Sequence, residues 1–96
     1  MKEWIAEREL YYSVKGKNER KRLVVRVGVP YWVNDDMAAC PVEYDGLFKN
    51  YSDIYGTDLL QALHLASNVD SQLSKLSESK YDFYFPSGEP YFESEP

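Results

Sequence analysis

The chain has one cysteine, Cys40, and one histidine, His64. A lone cysteine excludes an internal disulfide and makes a reducing compartment the expected setting. A lone histidine excludes a histidine pair for a metal. The glycine-rich phosphate loop, the dinucleotide fingerprint, the nucleophile elbow and the paired-cysteine zinc spacing are all missing. No catalytic residue, cofactor or metal is therefore expected, and the residues point away from an enzyme. No apolar run approaches the roughly eighteen residues of a membrane span. Met1 to Leu10 is charged throughout, so no signal peptide is expected there. A soluble, cytoplasmic protein is the expectation.

Basic charge is scarce over most of the length. Residues 1–34 carry eight basic and four acidic side chains, +4, and residues 35–96 carry three basic and twelve acidic, −9, which sums to −5. An acidic surface argues against general nucleic-acid binding, which needs cations on the phosphates. It suits a cationic partner, or solubility alone. What is plentiful is tyrosine: nine residues, a type that serves both half-buried strands and recognition surfaces. Ninety-six residues make one domain, 1–96, able to bury roughly 65% of its unfolded surface.

One stretch has a clear helical period. From Gly56 to Ser79, Leu59, Ala62, Leu63, Ala66, Val69, Leu73 and Leu76 recur at three- and four-residue steps, with His64, Ser67, Ser71 and Lys75 opposite. Thr57 or Asp58 can cap this helix, and Asp58 with Gln61 has capping-box spacing. Asp70 is the one charged residue inside the stripe. It belongs at the rim of the core, or else pairs with a basic strand residue such as Arg26; the rim is favoured.

The rest resembles strand and turn. Trp4–Val14 and Leu23–Val29 form an antiparallel hairpin around the basic loop Lys15 to Arg22, which is better explained as a solvated tip than as a phosphate site. Leu23, Val25 and Val27 should share the helix-facing side, or Val24 in their place if the register differs. Gly28 marks a bulge or a close approach of backbone. Tyr31–Asp36 suggests a turn flanked by exposed aromatics, and Met37–Tyr44 a third strand that Pro41 places at an edge or breaks. Leu47–Tyr55 is a short strand or ordered loop, and Tyr81–Phe85 a final strand. Residues 87–96 form an acidic tail, expected to be mobile beyond Phe92. The expected fold is α+β and two-layered: one long helix packed on an antiparallel sheet of four to five strands, in the order β-β-β-β-α-β.

Each candidate site has a bland alternative. His64 projects from the outer helix face, and Cys40 acts as a small buried hydrophobe. Asp35, Asp36, Glu43 and Asp45 match no calcium loop. They make a solvated acidic patch or a dock for a basic protein. Asn50 to Gly56, NYSDIYG, has the composition of an adaptable recognition loop, and with Tyr31 and Trp32 could supply interface anchors. Packing within the sheet explains those aromatics equally well.

The run Gly56 to Ala66, GTDLLQALHLA, resembles the G-x-D-x-x-Q-A-L-x-L-A helix start of a small bacterial domain family. The preceding strand pattern, including Gly28 and Cys40 to Gly46, is similar too, and the likeness runs from Leu10 to Phe85. Its motif describes a helix start and a packed face and carries no catalytic residues. Some small acidic members resemble the immunity proteins of contact-dependent growth inhibition systems, which bind one toxin domain, often a nuclease, and block it. The resemblance implies a cofactor-free inhibitor of a basic toxin domain. The residues expected to meet that partner are Tyr31, Trp32, Asp35, Asp36, Glu43, Asp45, Tyr51, Asp53 and Tyr55. The competing expectation is an accessory domain that self-associates through its tyrosine-rich surface, forming a homo-oligomer.

Overall fold

The computed structural model describes residues 3–48 and 52–92. Seven strands and two helical segments follow in the order β1 (Trp4–Val14), β2 (Lys21–Gly28), β3 (Tyr31–Asn34), β4 (Met37–Cys40), β5 (Val42–Asp45), β6 (Ile54–Gly56), α1 (Leu59–Ser67), α2 (Val69–Ser79) and β7 (Tyr81–Tyr84). The class is α+β, with a long helical segment packed on antiparallel strands as expected. The strands form two sheets: a four-stranded one ordered β5-β2-β1-β7 and a three-stranded one ordered β3-β4-β6.

The division follows from Pro41. The stretch expected as one strand is cut there, because proline has no N–H for a ladder. β4 enters the small sheet and β5 crosses to pair with β2. The crossover is tight. The Gly28 N–H donates to the Pro41 carbonyl at 2.9 Å, and a Cβ on Gly28 would lie 3.0 Å from both the Pro41 Cβ and the Glu3 carbonyl oxygen. Gly28 is thus the close approach that its position suggested.

β1 and β2 form the hairpin, with Leu10 opposite Leu23 and Arg8 opposite Val25. β2 starts two residues earlier than expected, at Lys21. Leu23, Val25 and Val27 face the core together with Leu10, Tyr12, Val42, Tyr44 and Phe83. On the other face, Arg26 is ringed by Glu7 at 3.3 Å, Asp45 at 3.0 Å and Glu43 at 3.7 Å. The strand period of two makes this possible: Leu23, Val25 and Val27 take one face, and Arg22, Val24 and Arg26 the other, where Val24 is buried and the two arginines pair charges across strands.

The helix begins as its composition indicates. The Asp58 carboxylate accepts from the Gln61 N–H at 2.7 Å, and the Gln61 side chain accepts from the Thr57 N–H at 2.6 Å. The reciprocal box thus closes one residue further out than Asp58–Gln61 spacing alone implies. Ala62, Ala66, Val69 and Leu73 are buried, whereas Leu59, Leu63 and Leu76 lie half-buried against the core. At Asn68 (φ −79°, ψ 65°) the backbone leaves the helical region, separating α1 from α2. The apolar stripe continues through the break. α1 lies on β6 and β4, α2 on β7.

The acidic tail is packed as far as Phe92. The Phe85 N–H donates to the Glu89 carbonyl at 2.8 Å and the Tyr91 N–H to the Phe83 carbonyl at 2.8 Å, folding the chain back along β7. Phe92 stacks edge-on against Phe83, ring centroids 6.3 Å apart. Tyr91 donates its hydroxyl proton to Asp70 and accepts from Arg8 at 2.6 Å. Asp70 is therefore at the exposed rim, but its partners are Tyr91 and Arg8, at 3.6 Å, rather than Arg26. No described helix is long and apolar enough to cross a membrane.

Candidate interaction surface

The region Tyr31–Asp36, expected as a turn, is a strand followed by a turn. β3 and β4 form a hairpin in which Asn34 faces Met37, and Asp35 and Asp36 make the connection. The Asp36 N–H donates to the Asn34 side-chain oxygen at 2.8 Å, the local bond by which asparagine stabilises a turn. Tyr31, Trp32 and Val33 are strong strand formers. Followed by Asn-Asp-Asp and the small apolar run of β4, they form a hairpin pattern that sequence analysis missed.

Register places the aromatics. Tyr31 pairs with Ala39, and Ala39 with Tyr55, so the two tyrosines flank one alanine across three strands on one face. The opposite face of β4, Ala38 and Cys40, joins the core. Small residues in β4 let α1 approach this sheet closely. β3 lies beyond the helix, with β4 as its main neighbour. All four β3 residues are consequently exposed: Tyr31 is 43% accessible, Trp32 52% and Val33 47%, with Met37 at 40% and Tyr55 at 54% nearby. Tyr31 and Tyr55, with Met37 by alternation, lie on one face and Trp32, opposite Ala38, on the other, so the exposed apolar side chains cluster around β3 on both faces.

The expected site residues divide into three groups. Tyr31, Trp32, Asp35, Asp36, Asp53 and Tyr55 all belong to the three-stranded sheet or its connections. Val33 and Met37 join them, unforeseen from sequence. Glu43 and Asp45 do not: they lie on β5 of the other sheet, on one side as alternation required, and face Arg26. The four carboxylates expected as one patch are thus split between two sheets, because Pro41 diverts the chain between them. Tyr51 lies outside the described residues.

The sequence that builds the small sheet is poor in cations. No lysine or arginine occurs between Arg26 and Lys49, nor between Lys49 and Lys75. Tyr31 donates its hydroxyl to Asp53 at 2.5 Å. That bond, with some desolvation and the repulsion a phenolate would feel from the carboxylate, pushes the Tyr31 pKa up to about 12. The sign follows from linkage. A tyrosine titrating higher in the folded state contributes stability that is intact below its ordinary pKa near 10 and fades between there and about 12. In an absorbance titration, Asp53→Asn should return one tyrosine toward its ordinary range. Tyr91, raised chiefly by burial, should stay high in both proteins. Indistinguishable titrations of the two would show that Asp53 does not govern Tyr31.

His64 is exposed on the outer helix face. Cys40 is fully buried, its Sγ 3.3 Å from the Gly28 carbonyl oxygen. Burial, aided by Asp53, pushes its pKa up, which disfavours the reactive thiolate. Among the described residues no group of three or more His, Cys, Asp or Glu side chains could hold a metal ion. The geometry defines an α+β domain with one exposed aromatic strand bordered by carboxylates. No family model matches the chain, and no curated protein or solved structure does either.

Proposed function

We propose that this domain is an immunity-type inhibitor that binds a basic toxin domain, a nuclease being the expected class, and neutralises it by covering its active site. The observation that carries this reading is β3: a strand with three large apolar side chains exposed, beside Asp35, Asp36 and Asp53, in a stretch poor in cations. The resemblance of the Gly56–Ala66 helix start to a small bacterial domain family, some acidic members of which resemble immunity proteins, is in keeping with it. In such an interface aromatic anchors slow dissociation and unlike charge speeds encounter.

Surface plasmon resonance against a candidate toxin domain, sought first in the neighbouring gene, separates the two contributions. Trp32→Ala should raise the dissociation rate, weakening binding by ~2 kcal/mol or more if Trp32 is an anchor. Reversing Asp35 and Asp36 to lysine should instead lower the association rate and flatten its salt dependence. Glu43→Lys, in the Arg26 cluster, should leave both rates near those of the parent protein. A toxin domain that is neither bound nor inhibited removes this reading. The alternative is self-association through the same tyrosine-rich face, which sedimentation of the isolated protein would reveal as a concentration-dependent dimer.

A further inference from the structure

The outer edge of β3 is open. It is the terminal strand of its sheet, and among the described residues no strand lies beyond it. Other edges differ: β5 carries the charges Glu43 and Asp45, and the half of β1 that β7 leaves unpaired carries Glu7, Arg8 and Glu9. β7 is covered by the returning tail, whose Tyr91 N–H bonds to the Phe83 carbonyl, and β6 lies under α1. Uncovered edge strands usually carry lysine, proline or an inward charge that discourages pairing with another chain. β3 reads Tyr-Trp-Val-Asn and has none of these within it. The charges placed beside it, Asp35 and Asp36 in the adjoining turn and Asp53 bonded to Tyr31, are all negative.

We infer that β3 is a strand-addition site, on which an extended, lysine- or arginine-bearing segment of a partner protein pairs with Tyr31–Asn34. This deepens the partner-binding reading and rests on it. Backbone bonds to the open edge would supply register and much of the affinity, with alternate side chains of the incoming strand reaching the aromatic face. The charge argument selects the occupant. Asp35, Asp36 and Asp53 belong to the small sheet or its connections, and no lysine or arginine stands between Arg26 and Lys49, whereas Glu43 and Asp45 are taken up by Arg26 on the other sheet. An acidic strand would be repelled and a basic one attracted. A second copy would have to offer its own β3 edge, which has no cation to give.

The test uses the whole protein and three capped heptapeptides: Lys-Val-Lys-Val-Lys-Val-Lys, its glutamate counterpart, and the lysine peptide N-methylated at its three consecutive central residues, which blocks both of its edges. Amide chemical shifts are followed by NMR at millimolar peptide. The lysine peptide should shift the amides of Tyr31–Asn34, and hydrogen exchange there should slow. The glutamate and N-methylated peptides should each bind about tenfold more weakly or worse, the first for charge and the second for lost backbone donors. Three results overturn strand addition: no β3 shift with the lysine peptide, equal binding of the N-methylated form, or shifts centred on the half of β1 that β7 leaves unpaired. β3 shifts that depend on protein concentration without peptide would give the edge to a second copy. A toxin domain that binds in a Trp32-dependent way while β3 amides stay unprotected would end this inference and leave the proposed function standing.

Discussion

Replacing Leu73 with alanine should lower the unfolding free energy by ~2–5 kcal/mol, the range for truncating a buried leucine whose site cannot collapse. Leu73 is fully buried on α2 and packs in the one core shared by helix and sheet. A chain of this length has only ~5–14 kcal/mol in total, so the substitution should remove a large share of it. Denaturant unfolding should show a lower midpoint with an unchanged slope. Leu63→Ala is the instructive comparison. Periodicity alone gives Leu63 equal standing, but it is only half-buried, so its truncation leaves a smaller void and should cost less than that of Leu73. A loss below about 1 kcal/mol at Leu73 would show that α2 does not face the core.

Gly46→Ala should be nearly as damaging, for a reason unrelated to apolar burial. Gly46 follows β5 with φ of +103°, a conformation costing a non-glycine residue ~1–3 kcal/mol. A Cβ there would also land on the Arg22 carbonyl oxygen, well inside contact distance. Because that obstacle is backbone, relief would require β5 to move off the start of β2. The Gly46 carbonyl also accepts from the buried Tyr12 hydroxyl at 2.5 Å, so the movement would disturb that bond too. Gly16→Ala isolates the two effects: its φ is +85°, but nothing lies within 4 Å of an added Cβ. Gly46→Ala should therefore lower the thermal midpoint clearly more than Gly16→Ala. Equal shifts would mean that the Arg22 contact is relieved without cost.

Both variants should leave the β3 surface free of new contacts, since Leu73 and Gly46 belong to the core and to the four-stranded sheet. A binding measurement on Trp32→Ala can therefore be judged against proteins of lowered stability but unaltered interface.

Local pattern determined a good deal of this protein. The β1–β2 hairpin, the Leu23-Val25-Val27 face, the capped helix and its stripe follow from periods of 2 and 3.6 and from turn chemistry, which act between residues near in sequence. The outward placement of His64 and the burial of Cys40 follow in the same way. Tyr31, Trp32 and Tyr55 were recognisable as candidate anchors from residue type.

Only tertiary structure decided how those pieces are shared out. Met37–Tyr44 has the composition of one strand. Pro41 announces an interruption, but whether β5 stays with β4 or pairs with β2 depends on Val24 lying opposite Asp45 and Val25 opposite Tyr44, twenty residues away. That choice separates Glu43 and Asp45 from Asp35 and Asp36 and gives them to Arg26. Asp70 could not be matched to Tyr91 beforehand, because the contact requires the tail to return along β7, and nothing in a tail of acidic and aromatic residues states where it will dock. The exposure of β3 has the same origin. Its residues are as apolar as those of a buried strand, and they remain at the surface because α1 is positioned over β4 and β6 and does not reach the third strand.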